Sequence, residues 1–195
     1  MKEALIIFVR NPELGKVKTR LAAVVGDQRA LEIYKHLLNH TKEVALACDC
    51  DRYVFVTGNV SQEDWVGFTM EQQSSGDLGD KMSNAFDFLF EKKYEKVIII
   101  GSDCLELSGD HLIHAFNQLA YNDTVIGPAN DGGYYLLGMK KHHKAIFANK
   151  NWGTESVFSE TFEAIEQLGL RMHKLEYLND IDEEKDLPDY LRSKA

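Results

Sequence analysis

Residues 96–104 of this chain read KVIIIGSDC, and residues 124–139 read TVIGPANDGGYYLLGM. Each segment starts with an apolar run of strand length, and a glycine-containing turn that carries an aspartate follows the run. The aspartate is Asp103 in the first turn and Asp131 in the second. A segment of helix length, for which Ser108 is a suitable N-cap, separates them. The order strand, helix, strand predicts an α/β sheet that places both carboxylates at strand ends.

The same alternation of strands and helices extends outward from this centre. Strands are predicted at residues 4–9, 52–57, 68–73 and 172–178, and helices at residues 28–46, 79–93, after Thr154 and near Leu187. The strand at 134–139 follows its predecessor too closely for a helical crossover, so at least one antiparallel pair is expected. We therefore predict a three-layer α/β/α sandwich with a mixed, mostly parallel sheet, in a single domain over residues 1–195. Ligands of such folds bind beyond the carboxyl ends of the strands.

Composition excludes several classes of function. The formal net charge of −9 is unfavourable for general nucleic-acid binding. No apolar run approaches the roughly 20 residues that span a bilayer, and no signal-peptide cleavage pattern follows the apolar run at 4–9. The cysteines (Cys48, Cys50 and Cys104) are odd in number and lack zinc spacing, so reduced thiols are expected. These features predict a cytoplasmic protein that binds neither nucleic acid nor membrane.

A basic, glycine-containing loop follows the first predicted strand. It reads RNPELGKVKTR over residues 10–20 and contains four cations in an otherwise acidic chain. Gly15 would let the backbone approach an anion, while Lys16, Lys18 and Arg20 would supply charge and hydrogen-bond donors. The loop does not match the phosphate-loop pattern of nucleotide hydrolases. A solvated loop or a basic helix start remains the alternative interpretation.

The basic loop changes how the two aspartates, Asp103 and Asp131, are interpreted. Alone, Asp103 would be read as a helix cap and Asp131 as part of a turn. Together, opposite a loop rich in lysine and arginine, they predict a site for Mg²⁺ or Mn²⁺, which bind through one or two carboxylates and substrate phosphates. A second glycine-containing turn, at residues 76–79, is expected at the same edge of the sheet.

Six segments together resemble the DUF2064 family, which is described as glycosyltransferase-like within the nucleotide-diphospho-sugar transferase superfamily. They are NPELGKVKTRL (11–21), GDLGDKM (76–82), IIIGSDC (98–104), GPANDGGYYLLGM (127–139), NKNWGTESVF (149–158) and NDIDEEKDL (179–187). The resemblance runs in order over nearly the whole chain. It implies the GT-A fold, a three-layer sandwich of the kind that the residues themselves predict.

The resemblance also implies roles for residues around the donor phosphates. The loop after the first strand cradles these phosphates in the superfamily, which corresponds to Gly15, Lys16, Lys18 and Arg20. Lys18 and Arg20 would neutralise charge on the phosphates, which makes them catalytic candidates.

Further residues are assigned by the same resemblance. The turn containing Gly76, Asp77 and Gly79 corresponds to a segment near the base and ribose. An aspartate after the central strand holds the divalent metal, which falls on Asp103. Asp131 is implied as a second metal ligand or as a catalytic carboxylate on the acceptor side.

The resemblance implies a metal-dependent transferase that uses a nucleotide-activated donor, in the manner of nucleotide-sugar glycosyltransferases. Two departures from the pattern keep alternatives open: Leu105 stands where relatives have proline, and the D-x-D signature of sugar transferases is absent. The alternatives are a guanylyltransferase-like nucleotidyltransferase that releases pyrophosphate, or a non-catalytic nucleotide-binding protein. The donor and the acceptor are small molecules that the sequence does not identify, and an exposed edge strand could support a homodimer.

Overall fold

A central β-sheet organises residues 2–192, which are the part of the chain that this computed structural model describes. The strands are β1 (Glu3–Arg10), β2 (Asp51–Thr57), β3 (Thr69–Gln72), β4 (Lys96–Ile100), β5 (Thr124–Pro128), β6 (Tyr134–Met139) and β7 (Met172–Lys174). The α-helices are α1 (Thr19–Val25), α2 (Asp27–Leu46), α3 (Leu78–Glu91), α4 (Gly109–Gln118), α5 (Val157–Gln167) and α6 (Asp189–Arg192). Short 3-10 helices span Gln62–Trp65, Lys144–Phe147 and Glu184–Asp186.

The strand order is β3-β2-β1-β4-β6-β5-β7, and β6 is the strand that runs against its neighbours. It pairs antiparallel with both β4 and β5, whereas the remaining pairs are parallel. The turn at 129–133 is too short to cross over the sheet, so β6 must return beside β5. The predicted mixed, mostly parallel sheet is confirmed.

The sheet is buried on both faces, which explains its uninterrupted apolar strands. On β1, Leu5 and Ile7 join the core beneath α2 and α4, while Ala4 and Ile6 point to the opposite face and join the core beneath α3 and α5. This alternation follows from the two-residue period of a strand. The helices on the two faces complete the predicted α/β/α layers.

The C-terminal segment packs against the first two helices, α1 and α2. Ile181, Leu187 and Leu191 pack in a third apolar cluster against Leu21 of α1 and Ile33 of α2. Bridges between strand-like residues also join this segment to the turns after β4 and β5. Residues 180–192 are thereby held beside the carboxyl end of the sheet.

Several local predictions need correction. The helix α1 begins at Thr19, within the loop for which a basic helix start was the alternative interpretation, and α2 begins at Asp27 instead of residue 28. The last strand ends at Lys174 instead of extending to residue 178. Each of these errors lies at an element boundary, where tertiary contacts rather than local pattern decide the outcome.

Two kinds of side chain outside the cleft could suggest chemistry of their own, the cysteines and His142. The cysteines are free thiols, as expected. His142 is partly buried and hydrogen-bonds to Ser83 Oγ (2.9 Å) and Asp87 Oδ1 (3.0 Å) on α3. The three groups have the order of a hydrolytic triad, but only 4% of Ser83 is exposed, so the contact anchors the loop after β6. No helix within residues 2–192 has the length and apolar character that crossing a bilayer requires.

The close packing around β6 can be tested at Gly138. A methyl group there would lie 2.7 Å from Val125 Cγ1 and 2.8 Å from Ile98 Cγ1, which is closer than carbon atoms pack. Gly138→Ala should therefore lower the free energy of unfolding by about 1–3 kcal/mol in urea denaturation.

The matched control is Gly101→Ala, because a methyl group at that position meets its nearest atom at 3.8 Å. Equal stability losses in the two variants would contradict the proposed packing constraint on β6.

Candidate active site

A cleft of about 1610 Å³ lies at the carboxyl end of the sheet. The last residues of β1, β2 and β4 form its floor, together with the turn that precedes β6. The walls come from the start of α1, the turn before α3, the loop before α5 and the C-terminal segment. The volume exceeds the ~300–1,000 Å³ of a typical small-molecule site, so a nucleotide-sized ligand and a second substrate fit together.

Lys18 lies at the centre of this cleft, in an ion triad with two aspartates. Its Nζ is 2.5 Å from Asp103 Oδ2 and 2.8 Å from Asp182 Oδ1, and only 6% of the side chain is exposed. Burial alone would lower the pKa of the Lys18 ammonium, but the two carboxylates outweigh burial and hold the pKa above its usual range. The ammonium is therefore a buried charge, and two of its three N–H donors are already bound to Asp103 and Asp182.

The carboxylate of Asp103 is fixed from several directions. Besides Lys18, it accepts hydrogen bonds from the Ser102 backbone N–H (3.0 Å) and hydroxyl (3.3 Å) at Oδ1. Burial would raise the pKa of Asp103, yet Lys18 and the Ser102 hydrogen bonds lower it overall. The Asp103 backbone carbonyl also accepts from the N–H of Ile181 at 2.9 Å, which ties this turn to the C-terminal segment.

The pKa of Asp180 is raised, whereas that of Asp103 is lowered. Burial, together with the neighbouring carboxylates of Asp103, Asp131 and Asp182, raises its pKa to about 8, against a smaller lowering by Lys18. Within residues 2–192, no hydrogen bond or close ion pair reaches this carboxyl group. The site thus contains a buried carboxyl group without a paired cation to stabilise its charged form.

The cations available to a ligand lie on other walls of the cleft. Arg10 is the last residue of β1 and Lys81 lies in the first turn of α3, and both line the cleft. Neither side chain has an ion pair or hydrogen bond to another of the described residues. Arg20 is mostly exposed and lies 3.8 Å from Asp182, at the limit of an ion pair. These three side chains can bind an anion without breaking an existing strong contact.

The structure brings together six of the predicted site residues and leaves three outside. Those that line the cleft are Lys18, Arg20, Gly76, Asp77, Asp103 and Asp131. The others lie away from it: Lys16 pairs with Glu13 at 2.7 Å on the surface, Gly15 has a left-handed backbone beside Asp27, and Gly79 is buried beneath Trp152.

A family profile described as "Uncharacterized protein conserved in bacteria (DUF2064)" matches residues 40–154, which is more than half of the chain. This chain belongs to the DUF2064 family. A similar solved structure is a proposed nucleotide-diphospho-sugar transferase from Desulfovibrio desulfuricans G20, with 30% sequence identity and a TM-score of 0.88. The alignment covers 94% of this chain and 84% of that one. No curated protein sequence matches this DUF2064 member.

More distant structures share the fold of this DUF2064 protein. Rv0371c of Mycobacterium tuberculosis H37Rv, in complex with manganese, has 12% identity and a TM-score of 0.61, over 99% of this chain and 100% of that one. The inositol-1-phosphate CTP transferase of T. maritima has 14% identity and a TM-score of 0.57, over 98% of this chain and 94% of that one. At these identities the likeness concerns the fold alone.

Sequence reasoning missed the C-terminal carboxylates of this DUF2064 protein. Asp180 and Asp182 lie in the NDIDEEKDL segment, which had been interpreted only as the approach to a terminal helix. The signal was nevertheless present, because three of its first four residues are asparagine or aspartate and an apolar residue, Ile181, separates the two carboxylates. Such spacing in an extended segment buries one side chain and points its neighbours the other way.

The ion triad predicts that replacing Lys18 destabilises the fold more than replacing Lys16, the other lysine of the basic loop. Lys18→Met leaves Asp103 and Asp182 close together without their shared cation, so we expect the free energy of unfolding to fall by about 2–3 kcal/mol. This is less than for a fully buried pair because both carboxylates are partly exposed. Lys16→Met, which removes a surface pair, should cost less than about 1 kcal/mol by the same denaturation measurement. Equal losses would contradict the triad.

The raised pKa of Asp180 predicts a dependence of stability on pH. Because the folded state holds this proton more tightly than the unfolded chain, the resulting stabilisation is complete below the ordinary pKa of 3.8 and is lost as the pH rises through about 8. Asp180→Asn should therefore gain melting temperature relative to the natural protein between about pH 5 and about pH 9, measured without divalent ions.

The control for this measurement is Glu91→Gln at the exposed end of α3, whose difference from the natural protein should not change over the same range. A constant difference for Asp180→Asn would show that its carboxyl group titrates normally.

Proposed function

We propose that this protein is a Mg²⁺- or Mn²⁺-dependent transferase that takes a glycosyl group from a nucleotide-activated donor. The observation that carries the proposal is that the cleft is lined by charged groups of both kinds. Arg10 and Lys81, whose side chains have no ion pair to another of the described residues, form what we call its cationic side. Asp103, Asp131 and Asp180 form what we call its carboxylate side. Support also comes from the similarity to the proposed nucleotide-diphospho-sugar transferase of Desulfovibrio.

The donor phosphates would bind on the cationic side. Arg10, Arg20 and Lys81 each have hydrogen-bond donors that charged phosphate oxygens can accept. Lys18 takes a different role from the one first expected, because its ammonium is already shared by Asp103 and Asp182. It holds Asp103 in place and limits the repulsion between the two carboxylates. The turn at Gly76 and Asp77 borders the same region and would contact the nucleoside.

A divalent metal fits the carboxylate side. Its donor atoms are oxygens only, as Mg²⁺ and Mn²⁺ prefer, and Asp180 is a buried carboxylate without a cation of its own. Among residues 2–192, no three potential ligands converge as a complete metal cage. Mg²⁺ is usually held by one or two carboxylates and substrate phosphates, and here Asp103 and Asp180 foremost would hold the ion, with Asp131 and donor phosphates nearby. When bound, such an ion supplies positive charge that stabilises the departing diphosphate.

The acceptor would bind beside the remaining carboxylates, and their charge favours a neutral hydroxyl compound over a phosphate. Asp131 and Glu155 line this part of the cleft, and the cation there, Lys185, is already paired with Glu183 at 2.9 Å. Asp131 Oδ1 accepts the N–H of Gly133 at 2.8 Å, which orients the carboxylate as a base. The acceptor oxygen would attack the anomeric carbon, its proton would pass to Asp131, and the bond to the donor phosphate would break.

Product analysis separates this reaction from nucleotidyl transfer. The protein is incubated with radiolabelled nucleotide sugars and, separately, nucleoside triphosphates, with Mn²⁺ and a mixture of sugars and polyols. We expect release of a nucleoside diphosphate, whereas release of pyrophosphate would identify a nucleotidyltransferase. Failure of every nucleotide to raise the melting temperature in the presence of Mn²⁺ would overturn both reactions.

Binding of nucleoside diphosphates tests the assignment of the donor side. Lys81→Met removes one charged hydrogen bond to phosphate, which is worth about 1.5–3 kcal/mol, so affinity should fall by at least about tenfold. Isothermal titration with UDP, GDP, CDP and ADP in Mn²⁺ measures the change. Lys35→Met on the outer face of α2 removes the same charge away from the cleft and should leave affinity unaltered. An equal effect of the two variants would contradict a specific phosphate contact at Lys81.

A further inference from the structure

A chain of side-chain hydrogen bonds extends from Asn130, which lines the cleft, to residues outside it. Glu106 accepts two bonds from Asn179, one from its backbone N–H (2.8 Å) and one from its side-chain Nδ2 (2.9 Å). Asn179 Oδ1 in turn accepts a bond from Asn130 Nδ2 at 2.8 Å. We refer to Glu106, Asn179 and Asn130 as the polar relay.

Each member of the polar relay lies close in sequence to an aspartate of the cleft. Asn130 immediately precedes Asp131, and Asn179 immediately precedes Asp180. Glu106 belongs to the turn after β4 that carries Asp103. The relay therefore links the three turns that present these carboxylates, which come from segments far apart in the sequence.

Backbone hydrogen bonds join the same turns only in part. Asn130 donates its N–H to Leu178 O at 3.0 Å, and Ile181 donates to Asp103 O at 2.9 Å. These bonds fix Leu178 and Ile181, while the relay fixes Asn179, the residue that leads directly into Asp180. The carboxyl groups of Asp103, Asp131 and Asp180 lie close enough to raise the pKa of Asp180, and crowded acidic groups need external support to keep a common arrangement.

We propose that Glu106 is a positioning residue, which acts through Asn179 to set the relative placement of the carboxylates at Asp131 and Asp180. The inference rests on the proposed function, since these carboxylates are the proposed environment of the metal. Glu106 does not line the cleft, and its carboxylate is exposed. Its effect is therefore expected on the geometry of the site more than on the stability of the fold, because exposed hydrogen bonds contribute little to stability.

The chemistry of the relay suggests a substitution that breaks it and a second that restores it. In Glu106→Gln, the amide oxygen can accept one of the two bonds from Asn179, but the amide NH₂ then faces the other donor. Adding Asn179→Asp repairs this mismatch, because the new carboxylate accepts from the glutamine NH₂ and from Asn130. The double variant has as many hydrogen bonds as the natural protein, and its negative charge lies at residue 179 instead of residue 106.

The test measures Mn²⁺ affinity by electron paramagnetic resonance, which does not require a substrate. Glu106→Gln should weaken Mn²⁺ binding by about tenfold, as is typical when a residue that orients a metal ligand is lost. The double variant should recover affinity to within about threefold of the natural protein. The control Glu166→Gln, in the last turn of α5, removes the same charge and should leave Mn²⁺ affinity unchanged.

Two results would overturn the relay: unchanged affinity in Glu106→Gln, or a double variant that binds no more tightly than Glu106→Gln. Asn179→Asp alone separates restored hydrogen bonding from simple attraction of Mn²⁺ by an added charge. In this variant the new carboxylate faces that of Glu106, so no hydrogen bond is restored. If Asn179→Asp alone raises Mn²⁺ affinity as much as it does when added to Glu106→Gln, the inference is also overturned.

Absence of Mn²⁺ binding by the natural protein would instead refute the metal site of the proposed function. The relay is then judged from the melting temperatures of the same four proteins without metal. The relay is supported if the melting temperature of the double variant is about 2–4 °C higher than the value obtained by adding the changes of the two single variants. Additive changes overturn it.

Discussion

The buried ammonium of Lys18 is the interaction on which the arrangement of the cleft depends. It joins carboxylates that lie 85 and 164 residues away along the chain, at Asp103 and Asp182. Without it, the negative charges of Asp103 and Asp182 would be forced together beside the buried carboxyl group of Asp180, which has no ion pair among the described residues. The lysine also has a left-handed backbone (φ 47°), which costs an L-residue about 1–2 kcal/mol. The fold tolerates this strain because the triad holds the side chain in a single position.

Local charge in this protein differs from the charge of the whole molecule. The chain has a formal net charge of −9, yet Arg10, Arg20 and Lys81 border the cleft. Low-dielectric walls concentrate the field of such groups, so a few nearby cations outweigh distant surface carboxylates. Asp103, Asp131 and Asp180 border the same cleft, which therefore presents basic and acidic groups together.

The sequence predicted the sheet well because strand patterns and turn lengths are local properties. The apolar run of β4 and the short return into β6 were sufficient to infer both the parallel core and the antiparallel pair. The partners of charged side chains could not be predicted in the same way. Lys18 was assigned to a ligand because local pattern records a cation but not Asp182, whose position depends on apolar packing of the C-terminal segment. The single-domain organisation and the metal site stay predictions.

The packing of Trp152 over Gly79 has an optical consequence. The chain contains two tryptophans, and Trp65 is 1% exposed within the core, where its indole contacts Phe68. Trp152 lies on the wall of the cleft, with Nε1 2.6 Å from the point that a methyl group on Gly79 would occupy. A ligand in the cleft changes the surroundings of one indole and not the other. The intrinsic fluorescence of the unlabelled protein, with Trp65 as a constant background, thereby reports when the cleft is filled.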